Sequence, residues 1–194
     1  RHISPQIGDQ FAIGYYRDLK NGEIETSIET YYKRIKDMIE YKGGAQLLLN
    51  PNLETDLTRG TGQAYGVELM VKKKYGRLNG WMSYTYSRTL MKVDSKFYQD
   101  RINAGDYYPA NYDKPHDLTV VANYKFSRRL SVSSNFTYST GRPITYPAAQ
   151  YQLQNVSLLH YTRRNEYRIP DYCRLDLSVN LDGNLKSKKL AHSS

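Results

Sequence analysis

Apolar and polar residues alternate with a period of two through most of the chain, the mark of β-strands with two unlike faces. From Glu23 to Lys33, one parity holds Ile24, Thr26, Ile28, Thr30 and Tyr32. The other holds Glu23, Glu25, Ser27, Glu29, Tyr31 and Lys33, so every charge falls on one face. From Tyr65 to Lys74, Tyr65, Val67, Leu69 and Val71 oppose Gly66, Glu68, Met70 and Lys72. The same pattern predicts strands around Leu78–Ser87, Asp117–Phe126, Leu130–Ser139 and Cys173–Asp182, and a weaker one over Phe11–Asp18. Each alternating core is about 9–11 residues, the length a tilted strand needs to cross a bilayer.

The connections alternate as well. Short turns are expected at Lys20-Asn21-Gly22, Tyr75-Gly76-Arg77, Ser127-Arg128-Arg129 and around Asp182-Gly183-Asn184, where Gly and Asn suit positive φ. Long polar and aromatic stretches fall between them: Lys42 to Gly62, Thr89 to Pro115 and Gly141 to Pro170. Short, long, short, long is the rhythm of an up-and-down membrane barrel, with tight turns at one rim and large loops at the other. A soluble sandwich also alternates, but its inner faces are denser in large aliphatic residues, whereas Thr26, Gly80, Ala122 and Ser134 interrupt these. Repeated loops of about 20 residues are also uncommon in compact soluble domains.

Composition sharpens the picture. The 194 residues hold 20 Tyr against 4 Phe and 1 Trp, with Tyr gathered near segment ends. Tyr is a good strand former anywhere, but rings that recur at segment ends suit the two membrane interfaces. Mean hydropathy is −0.73, and no apolar run approaches the roughly 18 residues of a membrane helix. The net charge is +9. Such a charge suits nucleic acid, anionic lipopolysaccharide or an acidic ligand; the cations are scattered over turns and loops, including Lys186-Ser187-Lys188-Lys189, with no single basic helix, and outer-membrane lipid and lipopolysaccharide rather than nucleic acid are expected as partners. Lone Cys173 excludes an internal disulfide.

Seven strands are expected in full, with an eighth starting near Leu190. Two open edges in lipid would leave backbone groups unpaired at several kcal/mol each, so the piece is expected to belong to a larger barrel. Residues 1–194 are then one barrel domain, without the final strands.

Several phrases carry a resemblance: Gly62-Gln63-Ala64-Tyr65-Gly66-Val67-Glu68, Gly80 through Arg88, Tyr112-Asp113-Lys114-Pro115-His116-Asp117-Leu118, Tyr138 through Pro143, and Arg168-Ile169-Pro170-Asp171-Tyr172-Cys173-Arg174-Leu175-Asp176. Together they resemble TonB-dependent outer-membrane receptors, in the style of Bacteroidetes-type bacteria. The resemblance implies a 22-stranded barrel in the outer membrane and an N-terminal plug that this chain does not contain. It also implies contact with the TonB complex through parts outside the chain, and proton-gradient-driven import of a bulky siderophore, cobalamin, glycan or peptide. This chain would form the C-terminal part of the wall, with room for a surface lipoprotein over the mouth. Cys173 stands where the family commonly shows His.

No catalytic constellation, metal-type spacing, phosphate loop or cofactor motif is present, so neither an enzyme nor a cofactor is expected. Candidate ligand contacts are Tyr107, Tyr108, Tyr112, Asp113, Lys114 and His116 in one loop, with Arg142, Tyr146, Arg163 and Arg164 in another. Rings can stack on sugars or flat chelates, and Arg can grip carboxylates or phosphates. Glu25, Glu29, Glu68, Asp117, Arg174 and Asp176 are candidate lumen residues facing a plug. The plainer role for the loops is mutual packing, and for the lumen set solvation of the wall. The rival readings are a passive porin-like barrel and a soluble all-β glycan-binding module.

Overall fold

The computed structural model describes residues 5–43, 45, 51, 53–153 and 156–183. The strand expected near Leu190 and the basic run 186–189 lie outside them. Among the described residues twelve strands are formed: β1 (Ile7–Leu19), β2 (Ile24–Tyr41), β3 (Leu57–Lys73), β4 (Leu78–Lys92), β5 (Tyr108–Pro109), β6 (His116–Lys125), β7 (Leu130–Ser139), β8 (Pro143–Ile144), β9 (Pro147–Leu153), β10 (Val156–Tyr161), β11 (Tyr167–Arg168) and β12 (Tyr172–Leu181). The main sheet runs β1-β2-β3-β4-β6-β7-β12, and β5 adds to β4. Every pairing is antiparallel. This is the expected meander: all-β, seven long strands in chain order, forming part of a barrel wall.

The register confirms the two faces. One row across the sheet reads Arg17, Thr26, Val71, Met82, Val120, Phe136, Leu175; the adjacent row reads Tyr16, Ser27, Met70, Ser83, Thr119, Thr137, Arg174. Successive rows thus belong to an apolar and a polar face, because side chains of a strand alternate sides. On the apolar face Ile13, Ile28, Leu175, Leu177 and Val179 are exposed. At the long-loop end this face finishes in rings: Tyr32, Tyr65, Tyr86, His116 and Tyr138 occupy successive strands.

Four strands outrun the expected length, β1 least with 13 residues. β2 has 18 residues, β3 17 and β4 15. The extra segments (Arg34–Tyr41, Leu57–Gly62 and Thr89–Lys92) include stretches expected to be loop. Alternation fades there because a bulge resets the parity. Lys36 and Asp37 together oppose Thr61 alone, between the pairs Ile35–Gly62 and Met38–Gly60, and Asp37 adopts φ 53°.

Beyond the bulge the strands carry a second structure, here termed the crown. Ile35, Met38, Met91, Val93, Ile102, Tyr108 and Ala110 bury one another where loop 93–115 folds against the polar-face side of the extended strands. Gly60 lets this loop approach, since a Cβ there would collide with the Lys92 carbonyl and Val93. Loop 140–171 is not structureless: β9 and β10 form a hairpin, and β8 pairs with β11.

Candidate functional site

At the rim, two loops are clasped by one buried carboxylate. Asp113 is 1% exposed. Its Oδ1 accepts the Thr89 N–H at 2.6 Å, and its Oδ2 accepts the Arg168 guanidinium. Arg168 also donates to the carbonyls of Asp113 and Gly141, at 2.8 and 2.9 Å. Arg88 Nε stands 3.4 Å from Asp113 Oδ2, too poorly aligned to donate, so it acts through charge alone. Next to this clasp, Asp171 accepts the Tyr138 hydroxyl at 2.6 Å and the Gly141 N–H at 2.9 Å. Those bonds hold the Asp171 carboxyl below the ordinary carboxylate range, the Tyr138 hydroxyl first and the Gly141 amide second.

Deeper in the crown, Arg164 joins segments far apart in sequence. It pairs with Glu40 at 3.2 Å and donates to the carbonyls of Tyr41 and Lys42. Its backbone and that of its neighbour are held in turn. Asn103 Oδ1 accepts the Arg164 N–H, Asn103 Nδ2 donates to the Arg164 carbonyl, and Asn165 Nδ2 donates to the Pro109 carbonyl. Around this junction lies a cleft of about 480 Å³, with Glu40, Arg101, Asn111, Thr145, Tyr161 and Arg164 among its walls. Its lining offers amides, hydroxyls, two guanidiniums and one carboxylate. Such groups match a ligand rich in oxygen and nitrogen.

The loop residues expected to meet ligand do not gather in one place. Of the ten, Arg164 alone lines the cleft. Asp113 is enclosed in the clasp. Tyr108 is buried in the apolar cluster, where burial foremost, and the Glu40 carboxylate after it, push its phenol well up. His116 opens β6 on the apolar face; its Nδ1 shares a 2.8 Å hydrogen bond with the Tyr84 hydroxyl, and its ring lies 5.3 Å from that of Tyr86. Tyr107 lies under Lys92 Nζ, 5.7 Å from the ring centre. Tyr112, Lys114, Arg142, Tyr146 and Arg163 are exposed. Tyr146 meets Tyr167 edge-on at 6.4 Å, and Arg163 pairs with Asp106 at 3.7 Å.

The lumen candidates all fall on the polar face and divide in two. Glu25 is neutralised by Lys74 at 2.5 Å and Lys72 at 3.6 Å, and Arg174 by Asp176 at 2.9 Å. Glu29 and Glu68 sit side by side in the register, with Asp117 two strands further along the same row. None of these three has an ion-pair partner among the described residues. Adjacent like charges cost stability within a sheet.

The sequence reading missed Arg168, Asp171, Asn103, Glu40 and Arg88 as organisers. A signal was available in part: the phrases around Asp113 and Arg168–Asp171 were both singled out, and they are the two halves of the clasp.

No curated protein and no solved structure matches the chain. The TonB dependent receptor-like β-barrel family matches residues 2–190. With a seven-strand meander, an exposed apolar face ending in rings, and a match over nearly its whole length, the chain belongs to that family, and its wall is that of an outer-membrane receptor barrel.

Proposed function

We propose that this chain forms wall and ligand-gathering mouth of a receptor that imports a bulky, polar nutrient in a TonB-dependent manner. The family makes outer-membrane transport, with TonB and a plug as partners, the general role. The finer reading rests above all on the cleft at the Arg164 junction, on the polar-face side of the crown. Short turns would face the periplasm and the crown the outside, following the usual architecture of such barrels. The apolar face meets lipid and the polar face lines the lumen. There Glu29, Glu68 and Asp117, lacking cations of their own, would receive basic side chains of a plug. The paired Glu25, Arg174 and Asp176 would chiefly solvate and brace the wall. The cargo classes that fit are siderophore, cobalamin, glycan and peptide; a surface lipoprotein would close the mouth from above.

The test uses intact cells expressing the parent protein and a labelled panel of those four classes. One member should bind outside and accumulate, and accumulation should stop when an uncoupler removes the proton gradient. Uptake that survives the uncoupler would support a passive porin instead. Cleavage sites placed in loop 93–115 and in turn 74–77 give the orientation: cutting in the loop alone is expected. Cutting at both, with release of soluble protein, would sink the membrane reading.

A further inference from the structure

Among the described residues, the Tyr108 hydroxyl is buried without a hydrogen-bond partner, on a side chain that is 1% exposed. A buried polar group left unpaired is costly, and native structures rarely keep one without a use. A phenylalanine would fill the same place in the apolar cluster free of that cost. Two charges act on the hydroxyl in opposite senses, the Glu40 carboxylate and the Arg164 guanidinium. Both also line the cleft of about 480 Å³.

Glu40 is lightly held. Its Oε1 accepts the Tyr41 N–H at 3.0 Å and meets Arg164 Nη1 at 3.2 Å, and both side chains of the pair are partly exposed. Arg164 has other partners: Nη1 donates to the Tyr41 carbonyl at 2.8 Å and Nη2 to the Lys42 carbonyl at 3.3 Å. The guanidinium would therefore stay anchored if Glu40 left it. Glu40 is the one carboxylate in the cleft's lining, beside groups able to donate: Arg101, the Asn111 amide, and the hydroxyls of Thr145, Tyr161 and Thr162. It occupies the position on Arg164 that a carboxylate from outside would take.

Resting on the cleft as the ligand site proposed above, we infer that it takes its ligand by a free carboxylate, which replaces Glu40 on Arg164 while Glu40 turns to accept the Tyr108 hydroxyl. One carboxylate leaves the guanidinium as another arrives, so the local charge on Arg164 stays balanced and no proton moves. The hydroxyl that is unpaired in the free receptor gains an acceptor in the bound one. A phosphate dianion would bring a second charge with no free cation to meet it, because Arg101 is already paired with Asp94 at 3.2 Å. An amide or a sugar hydroxyl carries no charge with which to displace Glu40. Tyr108 is thus a positioning residue, selecting the ligand's carboxylate through Glu40.

The experiment uses the full-length receptor in mild detergent, with trialanine and trialanine amide as probes and calorimetric titration as readout. Trialanine should bind, and its amide about ten-fold more weakly, the loss of a charge-assisted contact. Tyr108→Phe should weaken trialanine about ten-fold and leave the amide unchanged, the value of a hydrogen bond to a charged acceptor. Protease resistance of loop 93–115 should not fall in that variant, because the hydroxyl has no partner before the ligand arrives. Glu40→Gln should strengthen trialanine binding, since a neutral amide competes poorly for Arg164. Tyr98→Phe, which removes an exposed hydroxyl from the same loop, should change nothing. Failure of trialanine to bind, equal binding of both probes, or full trialanine affinity in Tyr108→Phe would each overturn the exchange. Weaker binding together with faster loop cutting in Tyr108→Phe would overturn it too, by showing that the hydroxyl already serves the free crown. Uncoupler-sensitive accumulation of another cargo beside any of these results refutes the exchange alone, whereas accumulation of no cargo at all refutes the import reading beneath it.

Discussion

Three of the wall's strands, β2, β3 and β4, run on into the crown, yet wall and crown bury opposite things. Along β12, Leu175, Leu177 and Val179 are 59%, 69% and 69% exposed, while in the crown Val93 and Tyr108 are 1% exposed. The wall has no hydrophobic interior of its own. Its apolar side chains look outward, and the hydrocarbon of the bilayer supplies the burial that a soluble protein obtains from itself. The crown stands in water and follows the ordinary rule: an apolar cluster inside, ion pairs and capped carbonyls around it. One polypeptide therefore obeys two solvents, and the change-over falls between the ring belt and the bulge of β2.

Substitutions can break that contrast. The largest effect is expected from a charge on the lipid side: Leu177→Arg should cost about 3 kcal/mol in unfolding from lipid, whereas Ser178→Arg, its polar-face neighbour, should cost less than about 1 kcal/mol. Denaturant titration of the parent barrel in bilayers checks this, and equal costs would mean the faces are assigned wrongly. Asp113→Ala leaves Arg88 and Arg168 without their shared carboxylate and should loosen the crown by about 3 kcal/mol. Protease cutting in loop 93–115 should rise sharply while the wall stays folded; simultaneous unfolding of both would show that crown and wall are one cooperative unit. Ile102→Ala removes a buried side chain from the apolar cluster and should cost the crown about 2 kcal/mol, again by protease sensitivity, with no change in the wall.

The smallest effect is a pH response at the Asp171 latch. Its carboxyl is held below the ordinary range when folded, so its contribution is complete above that range and is lost as pH falls through the depressed value. Cutting of loop 140–171 should increase in acid for the wild type and show no such dependence in Asp171→Asn. A wild-type loop indifferent to acid would detach the latch from loop stability.

What could be read from the residues follows the same boundary. The period of two and the turn residues exposed the wall, its faces and its order, because in the membrane each strand meets one solvent per face. In the crown the alternating signature fades, so Arg34–Tyr41 received no strand assignment, and Leu57–Gly62 and Thr89–Lys92 passed for loop. Val93, Ile102, Tyr108 and Ala110 have no periodicity at all; their cluster exists because distant segments meet. Asp113 and Arg164 were noticed for their chemistry and assigned to ligand, although the structure employs both as fasteners. Charge and aromaticity in a loop are visible in a sequence, but the partner that satisfies them 55 or 123 residues away is not.

The two-against-one step at Lys36 and Asp37 has a consequence for how such a chain can change. It acts as a phase shifter: Ile35 and Met38, three apart, point to the same side, and Glu40 follows them to reach Arg164. Losing one residue there would turn Met38 and Glu40 to the outer side of the sheet and send Ile39 and Tyr41 to the side of the apolar cluster, inverting the crown while the wall below kept its reading frame. Insertions and deletions of single residues therefore act as switches at this step, because each reverses the side to which every later residue of β2 points.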